Sequence, residues 1–406
     1  MKTNLLKIVG TGMVSGLMLF SSACRNEDAL LNDSPVPEAV RSAKLGVPTK
    51  FDQVKFAQLI EGYLEPKVAG FGYALYNDGV EYFRTNGGDG WARKPFDVPL
   101  QSHSAIVRQE TMQVTQYVTA VAVIKALEKY DVPLSAKVYQ FLPPHWKPST
   151  QFKQLSFERL LAHKTGLISH NKGLLSLRQT VEGPLQEPEF SQLTRDDNHV
   201  NYDLLALALP YVVAKKLAQQ GNATMLNHMN SQPSDWELFK ITAMHFREFV
   251  RFNVFIPAGL AHPYLIAWKA WESNGDIDAD KGTKGYPSRI GDEPGIAKAD
   301  NNMNPGATGL YISAAQFAKI QSAVAQFKII SLDGTTAMKQ NLLGYDGKLT
   351  GTKGNYYWKK GEGNHCETMI YNFGKVQLAV FTNSTQSEIS APQVLANFYE
   401  QSWIPL

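Results

Sequence analysis

Apolar positions divide this chain into three stretches of different period. Phe51, Val54, Leu59, Ile60, Tyr63 and Leu64 recur at roughly helical spacing, which predicts an amphipathic helix over 51–64. "GFGYALYNDGVEYFRT" then reads as two strands around Asn77-Asp78-Gly79, a hairpin signal, with "GGDGWARKP" as a glycine-rich exit. From Gln113 to Tyr130 the period becomes helical. Tyr117 to Ile124 is apolar except for Thr119, so this helix is expected to be buried nearly all round. "LSFERLLAHKTGL" predicts a short helix with Ser156 as N-cap and Gly166 as its stop. "NYDLLALALPYVVAKKLAQQG" predicts another, interrupted at Pro210. Residues 238–256 and 262–272 also read as helical, and 273–306 as a long polar loop.

The last hundred residues return to strands. "GLYISAAQFAKIQSAV" predicts a strand and then a helix. "NYYWKKG", "CETMIYNF" and "VQLAVFTN" predict three strands, the last two joined by a glycine-first turn at Gly374-Lys375. "SAPQVLANFYEQSW" predicts a closing helix, with Pro392 in its first turn. Strands at both ends with helices between them imply one sheet assembled from the two termini, about 51–110 and 307–406. The helical part, about 111–306, is inserted between them. The fold class is therefore mixed α/β of the α+β kind, an antiparallel sheet flanked by helices.

The first fifty residues follow a different logic. Lys2 and Lys7 precede a 13-residue apolar stretch, Ile8 to Phe20, too short to span a bilayer and suited to a signal peptide. It ends in "SSAC", which resembles a bacterial lipoprotein signal with Cys24 as the lipidated residue. Residues 1–23 are then the signal, 24–50 a polar, proline-bearing tether, and 51–406 the folded domain. The expected location is the cell envelope, outer membrane or cell surface, with the membrane as partner through the lipid.

Composition narrows the function classes. The chain is 406 residues, 44% hydrophobic and 11% aromatic, enough for a large core and incompatible with wholesale disorder. Loss of residues 1–23 removes two lysines, leaving 38 basic against 37 acidic residues, about +1. With no basic run, nucleic acid is not an expected partner. Cys366 has no partner once Cys24 is acylated.

The organisation resembles the penicillin-binding and β-lactamase superfamily, in particular class C β-lactamase-related serine hydrolases. The resemblance covers roughly 50–405. It rests on "TAVAVIKALEKYDVPLSAKVYQFLP" followed by "LSFERLLAHKTGL", and on "GLYISAAQFAKI" and "LAVFTNS". It implies a β-lactamase/transpeptidase-like fold and a Ser-x-x-Lys motif at the start of the central helix. There residues i and i+3 share a face, and the lysine takes the serine proton. That motif falls on Gln113-Val-Thr-Gln116. An amide neither ionises near neutral pH nor serves as a useful nucleophile. The family's Tyr-x-Asn motif falls on Asp197-Asn198-His199, without the tyrosine. A register slip would instead make Tyr202 the site residue. The Lys/His-x-Gly motif survives as Lys359-Lys360-Gly361, and the N–H of Glu362 would complete an oxyanion hole. Lys359 is equally readable as one more strand lysine.

Three strings compete with this assignment. "KTG" at 164–166 sits at a helix end and reads as structural. "SHNK" at 169–172 is a true Ser-x-x-Lys string, but in a loop. Asp276, Asp278 and Asp280 have calcium-loop spacing, yet Lys281 stands where glycine is needed. No zinc pattern and no cofactor motif is present in the sequence. His163, His170 and His199 are scattered, and no G-x-S-x-G elbow occurs. The expectation is a lipoprotein with a hydrolase fold and no catalytic pair, binding a peptide, cell-wall or amide/ester-like ligand. The alternatives are a working hydrolase with Ser169 or Thr115 as nucleophile, and a purely structural or interaction lipoprotein.

Overall fold

The computed structural model describes residues 48–82, 87–169, 174–270 and 282–406. The signal stretch, Cys24, the tether as far as residue 47, most of "SHNK" and the Asp276–Asp280 spacing lie outside the described residues, and the first strand begins at Thr49, inside the range expected for the tether. Thr49–Leu406 is one unit by its internal contacts. It opens with Thr49–Phe51 (β1), Gln53–Leu64 (α1), Gly70–Asn77 (β2), Val80–Glu81 (β3), Gly88–Arg93 (β4), Gln101–Ser102 (β5) and Arg108–Glu110 (β6). The helical middle contains Thr115–Lys129 (α2), Phe157–Leu161 (α3), Ser176–Glu182 (α4), Glu189–Gln192 (α5), Val200–Gln219 (α6), Thr224–Asn230 (α7) and Asp235–Val250 (α8). The chain then returns through Tyr311–Ser313 (β7), Ala314–Ala325 (α9), Leu332–Asn341 (α10), Gly347–Gly351 (β8), Gly354–Gly363 (β9), Cys366–Asn372 (β10) and Val376–Thr382 (β11). Pro392–Gln401 (α11) and Trp403–Pro405 (β12) close it.

The main sheet has eight strands in the order β5-β4-β2-β11-β10-β9-β8, with β3 paired to β2. Both termini feed it, as the strand pattern predicts. The central pairing is antiparallel, with Ala74 opposite Ala379 and Ile370 opposite Lys359. Alternation assigns the faces. Phe71, Tyr73 and Leu75 of β2, with Leu378 and Val380 of β11, pack on α1 and α11. Ala74 and Tyr76, with Ala379 and Phe381, face the larger core around α2, α6 and α9. Because β2, β10 and β11 are covered on both sides, they read as continuous apolar runs rather than as alternation.

A separate two-stranded pair, β6 with β7, ties the entry of the helical part to its exit, with Gln109 opposite Ile312. That pairing brings the start of α2 beside the sheet. Helix α2 is buried on every side, as its composition predicts.

Several boundaries differ from the pattern. Helix α3 ends at Leu161, five residues before Gly166, because His163 takes the left-handed conformation at φ 56° and Lys164 N–H closes on the Arg159 carbonyl. Pro210 does not interrupt α6. The helix continues to Gln219, since burial against α2 and α8 outweighs one missing hydrogen bond. Residues 262–270 form only a short 3₁₀ turn at Pro263–Leu265, after which Ala267 bridges to Tyr311. The "GGDGWAR" exit is strand β4, with Gly88 and Gly90 at positive φ. Helices α4, α5, α7 and α10 and strand β8 carry too little apolar periodicity to be read from sequence.

Candidate functional site

The site forms where the start of α2 meets the end of β9. Met112–Val114 is a turn of 3₁₀ helix that runs directly into α2, and Met112 holds φ 46°. The turn is pinned from both sides. Thr111 N–H donates to the Leu310 carbonyl at 3.0 Å, and Thr368 Oγ1 donates to the Thr111 carbonyl at 2.9 Å. Gly361 makes this approach possible. A Cβ there would stand 2.6 Å from the Thr111 carbonyl oxygen and 2.9 Å from Met112 Cβ. The glycine of the Lys-x-Gly string is thus a contact requirement.

Gln113 emerges from this turn half-buried. Its Oε1 accepts from the Glu362 N–H at 2.9 Å, and its Nε2 lies 3.3 Å from His199 Nε2. An amide nitrogen only donates, so His199 Nε2 accepts and the proton sits on Nδ1. Desolvation holds the His199 pKa below its ordinary value, although Asp197 pulls the other way, which agrees with a neutral ring. The structure therefore brings Gln113, His199 and Glu362 together.

Gln116 lies one turn deeper and is fully buried. Its Oε1 is 3.1 Å from His163 Nε2, and Asp197 Oδ1 lies 3.1 Å from the same nitrogen. His163 Nδ1 faces Asn201 Nδ2 at 3.3 Å, and Asn201 Oδ1 accepts from Thr165 at 2.7 Å. This chain is consistent only if His163 carries its proton on Nε2. Burial, reinforced by Lys359 and Arg195, depresses the His163 pKa well below normal. Gln116 Nε2 is buried with no hydrogen-bond partner.

Lys359 is buried in β9. Its ammonium sits 2.6 Å from Asp346 Oδ1. Arg195 reaches the same oxygen at 3.1 Å, and the Lys360 N–H donates to Asp346 Oδ2 at 2.9 Å. The cation is thus engaged by a carboxylate that carries two further donors. Sequence reasoning missed Asp346, Arg195 and Asn201. Nothing in their local patterns marks them, because the sites that use them are distant in the chain.

Tyr202, the other register for the site tyrosine, is buried and donates its hydroxyl to the Leu161 carbonyl at 2.8 Å. Thr115 is also buried, within 3.0 Å of Thr111 Oγ1 and accepting from the Leu310 N–H at 3.1 Å. Thr165 of "KTG" is buried, bonded to Asn201, at the end of α3. Beside His199 opens a cavity of about 540 Å³, lined among others by Ser169, Asp196, Asp197, Asp203 and Asn304. Cys366 is buried and unpaired. Among the described residues no group of three or more His, Cys, Asp or Glu side chains is arranged to hold a metal ion.

No protein-family profile matches the chain, and no curated protein matches it. Solved structures do. FmtA from Staphylococcus aureus superposes with a TM-score of 0.62 at 14% identity, over 88% of this chain and 94% of that one. A class C β-lactamase from Rhodobacter sphaeroides gives 0.58 at 14%, over 84% and 98%. A β-lactamase/D-alanine carboxypeptidase from Yersinia pestis gives 0.57 at 13%, over 85% and 99%. The chain has the fold of penicillin-binding proteins and class C β-lactamases: an antiparallel sheet flanked by helices.

Proposed function

We propose that this protein is a noncatalytic binding protein built on the β-lactamase and penicillin-binding fold. It holds a peptide, cell-wall fragment or amide-like ligand in the cavity beside His199, next to Gln113, without turning it over. The observation that carries this reading is the bond from the Glu362 N–H to Gln113 Oε1. In a working acyl-transfer site such a donor faces the oxygen on which charge develops. Here the side chain at the nucleophile position fills that place with its own carbonyl.

The surroundings support the same reading. A proton acceptor is needed beside any hydroxyl nucleophile, and Gln116 supplies only an amide. Lys359 is committed to Asp346. Membrane attachment through Cys24 belongs to the proposal, and metabolic lipid labelling of wild type against Cys24→Ser tests it.

One observation favours a second reading, that of an active hydrolase. Ser169 lines the same cavity as His199 and Asp197. Thr115 is a weaker candidate, since its hydroxyl is buried in the contact between α2 and the Leu310 backbone. Incubation with a penicillin and with a fluorophosphonate, read by intact mass, separates the two. The expected result is no adduct. An adduct mapped to Ser169, or to any hydroxyl in the cleft, overturns the noncatalytic reading.

A further inference from the structure

The cavity beside His199 is lined by carboxylates and neutral polar groups, with Leu177 and Val200 as apolar wall. Among the described residues, no lysine or arginine lines it. Asp196 and Asp197 stand at its rim. Asp197 has one oxygen near His163, yet its side chain remains 45% exposed. The nearby cations are held elsewhere. Arg195 is on Asp346, and Lys298 lies between Glu110 and Asn301. The His199 ring is neutral, as argued above.

Asp203 supplies the independent observation. It projects from the first turn of α6 into the wall of the cavity. The Asn304 side chain and the Ala307 N–H bond to its carboxylate, but Oδ1 is closed off and has no partner. This arrangement is held in place by close packing. Gly306 presses so near to α6 that a Cβ would stand 2.2 Å from the Tyr202 carbonyl oxygen. The Gly306 carbonyl in turn accepts from Thr119 of α2 at 2.7 Å. Asp203 itself lines the cavity, and the soft χ2 torsion of an aspartate lets a ligand compete with Asn304 and the Ala307 N–H for its carboxylate without backbone movement. A buried carboxylate oxygen lacking a donor favours a ligand that brings both a positive charge and N–H groups.

We propose that the cavity lined by Asp196, Asp197 and Asp203 binds a ligand through a primary ammonium group, with Asp203 as the deep contact. This rests on the noncatalytic reading of the site and names the chemistry of its ligand. Three N–H donors on one small cation match a carboxylate set better than a guanidinium or a carboxylate ligand would. A carboxylate ligand would face the like charges of Asp196 and Asp197 at the rim, whereas an ammonium draws the buried Asp203 into its ionised form.

Calorimetric titration of the full-length protein tests it. The probes are Nα-acetyl-lysine amide, its Nε-acetylated counterpart, Nα-acetyl-glutamate and glucosamine. The lysine derivative, glucosamine or both should bind, and which of them does so separates a peptide source from an amino-sugar source. Nε-acetylation should weaken binding at least about tenfold, and the glutamate derivative should not bind. Asp203→Asn and, as a second variant, Asp197→Asn should each weaken binding by about tenfold, while Asp292→Asn, outside this cavity, leaves it unchanged. Thermal melts establish that each variant is folded. Equal binding of the acetylated probe, preference for glutamate, an unchanged Asp203→Asn, or no saturation by any ammonium probe overturns the proposal. None of these results touches the covalent-labelling outcome, which judges the noncatalytic reading separately.

Discussion

The Glu362 backbone N–H and Gln113 Oε1 are joined by a 2.9 Å hydrogen bond. The start of α2 and the end of β9 are thereby tied to each other. Because Gln113 is only half-buried, the bond contributes modestly to stability, about 0.5–1.5 kcal/mol. Its consequence lies in occupancy: any ligand oxygen aimed at that N–H must displace the amide first.

Gln116 carries a buried amide nitrogen without a partner, while His163 Nε2 has Asp197 Oδ1 as well as Gln116 Oε1 within 3.1 Å. Gln116→Met keeps the volume, removes an orphan donor that costs about 1–3 kcal/mol, and leaves His163 one acceptor. The variant is expected to unfold in urea at a midpoint equal to or above wild type. Gln116→Ala, which opens a cavity, is expected to lose about 2 kcal/mol or more. A marked loss in the methionine variant would mean that the Gln116–His163 bond dominates.

Asp346 and Lys359 should respond asymmetrically. Asp346→Ala strands a buried ammonium and is expected to cost about 3–5 kcal/mol. Lys359→Met leaves Asp346 bonded to Arg195 and to the Lys360 N–H, so a smaller loss is expected. Chemical denaturation of the two variants side by side checks the order. Equal losses would contradict the asymmetry.

Stability should fall with rising pH on account of Asp203 and Glu367. Burial raises each carboxyl pKa to about 7. In the unfolded chain both ionise near pH 4, while the folded forms stay protonated to about pH 7. Their contribution is therefore full below pH 4, declines between 4 and 7, and is lost above. Asp97 and Glu400, whose pKa values are lowered, act in the opposite sense at lower pH. Asp203→Asn is expected to be more stable than wild type at pH 8, on the order of a few kcal/mol, with the gap narrowing toward pH 5. A pH-independent difference would show that Asp203 does not titrate in this range.

The repaired site is expected to be weak. Gln113→Ser with Gln116→Lys and Asp197→Tyr places a nucleophile, a base and a phenol at the positions that the resemblance implies. The new ammonium, however, faces the donor side of His163 and removal of Asp197 takes away its acceptor. A stability loss of several kcal/mol and only slow acylation by a penicillin, localised to residue 113, are therefore expected. Folding is checked by thermal melt and the adduct by peptide mass. Acylation elsewhere, unchanged when position 113 is reverted, would refute the placement of the motif.

Local pattern carried much of this molecule. Phe51 to Leu64 has helical spacing, the Asn77-Asp78-Gly79 turn marks a hairpin, and the apolar strands of 366–383 pair as written. These features depend on near neighbours, so they are visible along the chain. The glutamines at 113 and 116 were legible too, because their position follows from the buried helix that they open. What surrounds them was not. Asp346 meets Lys359 across a strand pair, and Arg195 reaches the same Asp346 oxygen from a loop some 150 residues earlier. Gly166 is left-handed as the pattern implied, but His163 is left-handed before it and ends α3 early, its ring held between Gln116 and Asn201. Pro210 stayed helical because burial on both sides compensates one lost hydrogen bond. Charge pairing, proton position and the depth of Asp203 depend on distances through space, and those exist only once α2, α6 and β9 have packed together.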